Sequence, residues 1–446
     1  MTLAQWASLL IFVAAFIVIA TERVHKTHVA LAGGALMLLL RLVDQHHAFH
    51  GGEVESLVNG QTVRLAVGGI DWNTVFLLIG MMIIVVITEE TGVFQYAAIK
   101  SARWGGGSPI KILILLSAAT ALLSAFLDNV TTVLLLVPVT LLVCDALETD
   151  PVPFVCCEAI ASNIGGTATL IGDPPNIIVG SAAHLTFVDF LLHLTPVILV
   201  VFAAFAVTIY VALGKRMKVT EEHRQRVMAM REDEAITDPQ LLRRCGGVFA
   251  ATIGGFVIHG WVGLEPATIA LAGAALLLLV TKKDPIRTLE RVEWPTIFLF
   301  IGLFVMVSAL ASQGLILKAS QAVLAWSGSP AAVTHIVLWG SGCASALTGN
   351  IPTVTALVPM VHEVSGQIPS LASHPATANP LWWSLALGTC LGGNGTLLGA
   401  PANLVAAGIA GRSGHEISFK RFLKYGVPLT LQALLISWLY VILRYL

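Results

Sequence analysis

One run of the chain, from Asn163 to Asn176, interrupts an apolar segment that is otherwise long enough to cross a bilayer. It reads Asn-Ile-Gly-Gly-Thr-Ala-Thr-Leu-Ile-Gly-Asp-Pro-Pro-Asn, so glycine, proline, an acid and amides stand where a membrane helix should be uniformly apolar. Inside lipid, a broken backbone survives only where it is buried in protein or lines a wet cavity, because its N–H and C=O groups need partners. The run therefore predicts a discontinuous membrane helix over 153–183.

The same pattern returns in the second half of the chain, between Leu391 and Asn403. Two broken apolar segments at corresponding places in two halves are the best sequence pointer to the binding site of a secondary transporter. Three motifs repeat in the same order, which is the signature of an internal duplication. Matched pairs are Asp71/Glu293, Gly80/Gly302, Asn129/Asn350, Pro138/Pro359, Gly165/Gly392, Gly166/Gly393, Thr169/Thr396, Gly172/Gly399, Pro174/Pro401 and Asn176/Asn403.

The composition indicates a polytopic membrane protein. Of the 446 residues, 56% are hydrophobic and only 11% are charged, whereas soluble domains carry about 25% charged residues. The lipid bilayer is therefore an expected partner, and no basic run with interleaved aromatic residues suggests nucleic acid. No nucleophile–base set and no phosphate-binding glycine loop is found, so neither an enzyme nor an ATPase is predicted. The six cysteines form no spaced pair, so no metal site or disulfide framework is expected.

The predicted fold is an all-α polytopic membrane protein built from two inverted-topology repeats. Each repeat has five spanning helices, one of them broken, and one re-entrant helical hairpin, which gives about 10 spans. In this interpretation 27–43 and 187–213 are continuous spans, 44–70 is a polar loop and 92–104 is an interfacial helix. The domains are residues 1–213, with hairpin 109–147 and broken helix 153–183; linker 214–245; and residues 246–446, with hairpin 330–366 and broken helix 378–410.

The positive charges support the inverted arrangement and predict an orientation. If the first span runs from the outside inward, all 25 lysines and arginines lie on the cytoplasmic side except Arg41, Arg64, Lys318 and Arg444. That asymmetry fits the positive-inside rule. The prediction is an integral, multi-pass plasma (inner) membrane protein with both termini on the outer face and the linker in the cytoplasm.

The two hairpin vertices and the two breaks are predicted to converge near the bilayer midplane. Half-helices that end there present unpaired N–H and C=O groups to a solute or an ion. The alternative is that the nearby hydroxyls and amides only satisfy the broken backbone, but the pattern occurs in both halves, which favours binding. The predicted substrate-binding residues are Asn129, Thr131, Thr132, Thr169, Asn176, Asn350, Thr353, Thr355, Asn394, Thr396 and Asn403.

Two acids, Asp128 and Asp173, are the predicted sites of proton or ion coupling. A carboxylate in hydrocarbon is costly unless it is protonated, ion-bound or hydrated, so such a residue indicates function. The alternative is that each acid caps the half-helix that follows it. Gly349 and Ala400 occupy the matching positions of the second half, so coupling is expected to be asymmetric. Glu158 is a weaker candidate for the same role.

These motifs resemble those of the ion transporter superfamily, which includes arsenite efflux permeases, sodium/proton antiporters, the melanosomal P protein and divalent-anion/sodium symporters. Dicarboxylate symporters of this group carry Ser-Asn-Thr at each vertex, whereas this chain has Asp-Asn-Val and Gly-Asn-Ile. The chain therefore looks most like the arsenite-permease and P-protein branch. The resemblance implies a scaffold and a mobile transport unit, often in homodimers. It rests on residues 126–132, 162–176, 350–353 and 391–403.

The leading hypothesis is proton-coupled efflux of arsenite or antimonite by alternating access, with no cofactor besides the coupling proton or sodium ion. No lysine or arginine lies in the predicted core, which favours a small neutral or cationic inorganic solute over a di- or tricarboxylate. The cysteines receive no role, because a thiol-lined site would release trivalent arsenic too slowly. The alternatives are a sodium/proton antiporter, a sodium-coupled symporter of a dicarboxylate or inorganic anion, and a channel subunit driven by a soluble ATPase subunit.

Overall fold

The computed structural model describes residues 1–21, 23–58, 61–215, 217, 219–326 and 329–446, without the side chains of 56–66. Arg216 and Lys218 of the predicted linker, and the side chain of Arg64, lie outside this described part. Within it the chain forms 23 α-helices, three short 3-10 helices and one two-stranded sheet. The architecture is thus helical throughout, apart from one hairpin of strands.

Most helices of the first half begin where the sequence offers a cap or a proline. Asp71, for example, accepts the backbone N–H of Thr74 over 3.1 Å at the start of one helix, and side-chain caps of this kind satisfy otherwise unpaired N–H groups. The helices are α1 (Leu3–Thr21), α2 (Lys26–Leu39), α3 (Gln45–His50), α4 (Trp72–Glu89), α5 (Val93–Trp104), α6 (Pro109–Ser124), α7 (Asn129–Leu147), α8 (Val152–Gly166), α9 (Pro174–Ala183), α10 (Phe187–His193) and α11 (Thr195–Leu213).

The second half repeats this order after a charged connection. The 3-10 helices are Glu232–Ala235, Ala376–Ala378 and Gly393–Gly395. The α-helices are α12 (Glu221–Met228), α13 (Pro239–Val262), α14 (Pro266–Thr281), α15 (Pro285–Glu290), α16 (Trp294–Ser312), α17 (Leu315–Trp326), α18 (Pro330–Thr348), α19 (Asn350–Gln367), α20 (Pro369–Ala372), α21 (Pro380–Gly392), α22 (Pro401–Arg412) and α23 (Phe419–Tyr445).

Eight of the described helices are long and apolar enough to cross a membrane, or nine if the bent pair α9 and α10 forms one span. The eight do not correspond one to one to the predicted ten spans, because they include α7 and α18, which were predicted as hairpin arms. Helices α2 and α14 have only 14 and 16 residues, and each predicted broken helix is divided, whereas a straight span needs about 20 residues. The pair α9–α10 bends by 113°. The predicted multi-pass, all-helical membrane architecture is nevertheless what the structure contains.

Two stretches differ from the sequence prediction. The supposed loop 44–70 contains α3 and an antiparallel hairpin of β1 (Gly52–Val58) and β2 (Gln61–Val67), in which Gly52 pairs with Val67. The supposed continuous span 187–213 is divided into α10 and α11 at Leu194. Pro196 lies in the first turn of α11, where a missing N–H costs nothing.

Helices α2 and α4 of the first half pack on α16 and α14 of the second half. Gly80 lies so close to α14 that an added methyl group would be 2.6 Å from the carbonyl carbon of Ala270. Gly302, the counterpart of Gly80, lies so close to α2 that an added methyl group would be 2.5 Å from the carbonyl carbon of Ala30. Small residues permit such close helix crossings in membranes. The two halves are therefore joined by reciprocal, matched contacts.

The hairpins and the broken helices form the centre of the molecule. In the first half α6 and α7 pack on α8, and in the second half α18 and α19 pack on α21. Across the halves, α7 contacts α22 and α19 contacts α9. Every residue of α21 is buried, as is nearly every residue of α8. The inverted relation of the repeats in the membrane remains a prediction.

Candidate functional site

The first vertex lies between α6 and α7, and its acid acts as a local cap. The Asp128 carboxylate accepts the backbone N–H groups of Val130 and Thr131, each over 3.0 Å, and also the Thr131 hydroxyl. The Thr132 hydroxyl donates to the Asp128 carbonyl over 2.9 Å. These contacts agree with the alternative that Asp128 caps the helix that follows it. The roles of Asp128 in coupling and of Thr131 and Thr132 in binding remain predictions.

The second vertex lies between α18 and α19 and has no acid. Gly349 adopts a φ of 94°, a left-handed value that glycine takes without strain. The backbone N–H of Asn350 donates to the carbonyl of Gly399 over 3.0 Å, which ties the vertex to the second break. The hydroxyls of Thr353 and Thr355 bond to carbonyls of their own helix start, over 2.7 and 2.9 Å. Both threonines are buried, and the Thr353 hydroxyl also contacts the hydroxyl of Thr348 on α18 over 2.9 Å.

The two breaks are held by matched amides. The Asn176 side chain donates to the carbonyls of Thr167 and Thr169 over 3.0 and 2.8 Å. The Asn403 side chain donates to those of Gly393 and Thr396 over 3.0 and 2.9 Å. These bonds replace the helical hydrogen bonds that the breaks remove.

The threonines of the breaks tie each broken segment to its hairpin. The Thr169 hydroxyl donates to the Ala125 carbonyl at the end of α6. The Thr396 hydroxyl donates to the Ala346 carbonyl of α18 over 2.6 Å. These matched contacts explain why the same threonine occurs in both runs.

Asp173 joins both vertices to the first break. Its Oδ1 accepts the side-chain amides of Asn129 over 3.2 Å and of Asn350 over 3.1 Å. Although Asp173 directly precedes α9, its side chain makes no capping bond there. The carboxylate is fully buried. Unlike Asp128, it is therefore directed at the centre of the molecule and contacts residues from both halves.

Asn163 extends this contact to the second break. Its Oδ1 accepts the Asn129 amide over 2.8 Å, and its Nδ2 donates to the Oδ1 atoms of Asn394 and Asn403 over 2.8 and 3.1 Å. The run of motifs contained Asn163, yet its side chain was not among the predicted site residues. We call the connected set the central network; it consists of Asn129, Asn163, Asp173, Asn350, Asn394 and Asn403.

Two buried atoms of the central network have no hydrogen-bond partner. They are Oδ2 of Asp173, an acceptor, and Nδ2 of Asn394, a donor. Buried polar groups of this kind are rare in proteins and costly to leave unpaired. No lysine, arginine or histidine in the described residues hydrogen-bonds to the network. The network can thus accept a proton or a cation at Asp173 and offer an amide N–H to an oxygen-bearing ligand.

The two halves contribute unequally to the network. Asn163 and Cys390 occupy matching positions, and each contacts the amide oxygen of the other half's break. Asn163 donates to Asn403 over 3.1 Å, and the Cys390 thiol donates to Asn176 over 3.4 Å. The sequence reasoning gave the cysteines no role and missed this contact, which alignment of the repeats could have revealed.

A cavity of about 470 Å³ adjoins the first vertex. It is lined by Val130 of α7, by Lys26 and Glu293 at the starts of α2 and α16, and by Pro401 of α22. Glu293 lies just before the spanning helix α16, where burial raises its pKa to about 7. The negative charge of Asp128 acts in the same direction and that of Lys26 in the opposite one.

A smaller cavity of about 270 Å³ lies between residues of both halves. Its lining includes Asp71, the counterpart of Glu293, together with Ile178 and Thr355. In the predicted orientation the larger cavity is on the cytoplasmic side and the smaller one on the outer side.

Residues 16–388 match the model of a transporter family described as CitMHS, citrate transporter. The chain belongs to the CitMHS family. A transporter of uncharacterised function from Mycobacterium tuberculosis is 43% identical over 98% of this chain and 97% of its own length. A 46 kDa membrane protein of Mycobacterium leprae is 39% identical over 98% of each chain. Human P protein is 32% identical over 95% of this chain but only 58% of its own length.

Two solved structures share the fold of this CitMHS member. The YdaH transporter of Alcanivorax borkumensis superposes with a TM-score of 0.59 and 13% identity over 97% of both chains. Neisseria gonorrhoeae MtrF, described as illuminating a class of antimetabolite efflux pumps, has a TM-score of 0.59 and 9% identity over 96% of this chain and 94% of its own. The chain is thus an integral multi-pass membrane transporter and not an enzyme. The predicted resemblance to the P protein is confirmed, while the names of these relatives mention no arsenical.

Proposed function

We propose that this CitMHS member is a proton-coupled secondary active transporter in which Asp173 binds the coupling proton. The observation that carries the proposal is the hydrogen bonding of Asp173. One of its oxygens accepts amides from Asn129 and Asn350, and the other has no partner. Hydrogen bonds to a carboxylate are roughly twice as strong as those to a neutral group. Protonation of Asp173 therefore weakens its bonds to both vertices at once and frees the hairpins to move.

For the substrate we propose a small neutral solute that carries hydroxyl groups, with arsenite or antimonite as the first to test. The absence of basic side chains bonded to the described central network supports a neutral solute. The unpaired amide of Asn394 and a protonated Asp173 would donate to its oxygens. Export follows if protons enter from outside and are released inside, with the solute carried in the opposite direction.

A second candidate is transport of a carboxylate such as citrate. It is favoured by the description of the matching family model. It is also favoured by the 470 Å³ cavity, where Lys26 and the starts of α2, α16 and α22 supply positive potential. In that case the anion would bind in the cavity beside the first vertex, and Asp173 would still carry the coupling cation.

Membrane vesicles from a host without its own exporters test these proposals. Everted vesicles given a proton gradient should accumulate arsenite, and Asp173→Asn should reduce this accumulation to background. Asp145→Asn is the matched control, because Asp145 is exposed near the end of α7. Asp128→Asn tests the other predicted coupling residue, since asparagine still caps α7.

The same vesicles separate the alternatives. Citrate uptake into right-side-out vesicles would favour the second candidate, and dequenching of a pH dye by Na⁺ would favour sodium/proton exchange. Gradient-driven accumulation of any of these solutes that is unaffected by Asp173→Asn would overturn the role of Asp173. If no solute responds to a proton gradient, the proposal of proton coupling fails.

A further inference from the structure

A second carboxyl group is buried away from the central network. Glu158, on α8, is only 1% exposed. Its Oε1 accepts the hydroxyl of Thr140, on α7, over 2.5 Å, and its Oε2 has no hydrogen-bond partner. No lysine, arginine or histidine in the described part of the chain is paired with it. An ionised Glu158 therefore has no countercharge, and a neutral Glu158 has no acceptor for its proton.

The second half of the molecule shows that packing does not require this polar pair. Counted from Asn129 and Asn350, Thr140 of α7 matches Val361 of α19; in the aligned broken runs, Glu158 of α8 matches Leu385 of α21. Val361 and Leu385 are both fully buried. Two apolar side chains thus occupy the same place in the other repeat. A buried, unpaired carboxyl costs stability relative to such a pair, so its presence in only one half points to a function.

Polar side chains lie on α7 and α8 in the stretch between Glu158 and the central network. Ser162 lies four residues further along α8, on the same face of the helix, and Asn163 of the network follows directly. On α7, Thr132 and Thr140 lie about two turns apart and are both buried, and Thr140 contacts Glu158 of α8. The distance from Glu158 to Asn163 along the helix axis is about 7.5 Å. Buried polar side chains thus lie on both helices, at the level of the network and at the level of Glu158.

The charged and titratable groups around Glu158 do not supply a fixed partner. On α6, α11 and α22 the titratable side chains nearest this level, Lys111, Tyr210 and Arg412, are exposed. Arg421 of α23 is engaged by Asp150 at the start of α8. The titratable groups that interact with Glu158 are the thiols of Cys144 on α7 and Cys157 on α8.

We propose that Glu158 is a second proton-binding site, which takes up and releases a proton during each transport cycle. The proton adds to the unpaired Oε2 and leaves from the same oxygen, either to water or along the α7–α8 interface toward Asp173. No other bond forms or breaks. The proposal rests on the proposed proton coupling and adds a second proton to it.

Infrared spectroscopy of the purified protein tests the site without any transport. A protonated carboxyl group shows a carbonyl stretch that disappears on ionisation. Spectra recorded from about pH 5 to about pH 9, the range in which buried carboxyls titrate, should contain a titrating band that Glu158→Gln removes. The same band should persist in Asp173→Asn. A band that never titrates, or a spectrum that Glu158→Gln leaves unchanged, would overturn the proposal.

A transport measurement then separates the second proton from the first. In vesicles, Glu158→Gln should lower the number of protons moved per solute by about one, while solute is still carried. The double variant Glu158→Leu/Thr140→Val copies the second half, so it should fold and show the same lowered ratio. An unchanged ratio in both variants contradicts a role for Glu158 in coupling. Failure of the proposed function would appear differently, as transport that survives Asp173→Asn.

Discussion

The side-chain amide of Asn350 donates a hydrogen bond to Oδ1 of Asp173 over 3.1 Å. This contact joins the vertex of the second hairpin to the break of the first repeat, across 177 residues of sequence. Because Asn129 donates to the same oxygen from the first vertex, one carboxylate oxygen links three of the four irregular backbone segments. The protonation state of Asp173 therefore affects hydrogen bonds at the vertices of both hairpins.

Removal of either vertex amide should slow transport. Asn129→Ala and Asn350→Ala each delete one hydrogen bond to a carboxylate, which contributes about 1.5–3 kcal/mol. Because protonation of Asp173 then changes fewer bonds, we expect the rate driven by the proton gradient to be about 10- to 100-fold lower. Since both amides share one acceptor, the double variant should lose less than the product of the single effects. Initial rates in vesicles measure this.

Asn176→Ala is the contrasting variant for this pair. It removes bonds to carbonyls of the first break, so it should reduce the yield of folded protein rather than the rate per folded molecule. Strictly multiplicative effects of Asn129→Ala and Asn350→Ala would show that the two vertices are not coupled through Asp173.

Glu293 should make the stability of the protein depend on pH. Its pKa is raised from 4.5 to about 7, so the folded state binds a proton more tightly than the unfolded state. The stability that this proton contributes is fully present below about pH 4.5 and is lost as the pH rises to about 7. Thermal unfolding of the detergent-solubilised protein should show this decline, and Glu293→Gln should flatten it. Asp71→Asn, at the matching position, serves as the control; an equal flattening there would contradict the assignment.

The close helix crossings predict opposite effects for alanine at different glycines. Gly80→Ala and Gly302→Ala should destabilise the protein by about 1–3 kcal/mol, because the new methyl groups meet backbone atoms of α14 and α2. Gly254→Ala, in α13, meets nothing within 4 Å and should stabilise by about 0.5–1 kcal/mol through helix propensity. Thermal-shift measurements distinguish the two signs. Similar midpoints for all three variants would rule out a tight crossing.

The predicted orientation can be tested by thiol labelling. Of the six cysteines only Cys343 is exposed, so Cys343→Ser gives a quiet background. A membrane-impermeant maleimide should label His46→Cys in intact cells and Glu221→Cys only in everted vesicles. The reverse pattern would invert the topology, and labelling of both sites from one side would contradict the inverted repeats.

Some features of the site could be predicted because they are local or repeated. The duplicated glycine runs indicated the breaks, and the polar vertices marked the hairpins, since each signal lies within one stretch of sequence. The choice between Asp128 and Asp173 could not be made in this way. Both acids precede a half-helix, and only the tertiary arrangement directs the first to its own cap and the second to amides of both halves.

Other features were missed although the sequence contained signals for them. The two segments that form β1 and β2 are separated in the sequence by Asn59-Gly60, a dipeptide typical of tight hairpins. In the other stretch, Pro196 indicated a helix start within 187–213. In the prediction, the length and apolar composition of the segments were given more weight than either signal. Asn163 contacts Asn394, 231 residues away, and no local pattern predicts a partner at that separation.

The exchange of partners between the halves, in which α2 packs on α16 and α4 on α14, has a consequence for biosynthesis. The ribosome completes α2 and α4 long before it makes the helices that cover their glycine faces. Until the later helices are inserted, the glycine faces of α2 and α4 must therefore be covered by lipid or by the insertion machinery. A fragment that ends at the linker would leave those faces without their partners, so we expect neither half to fold on its own.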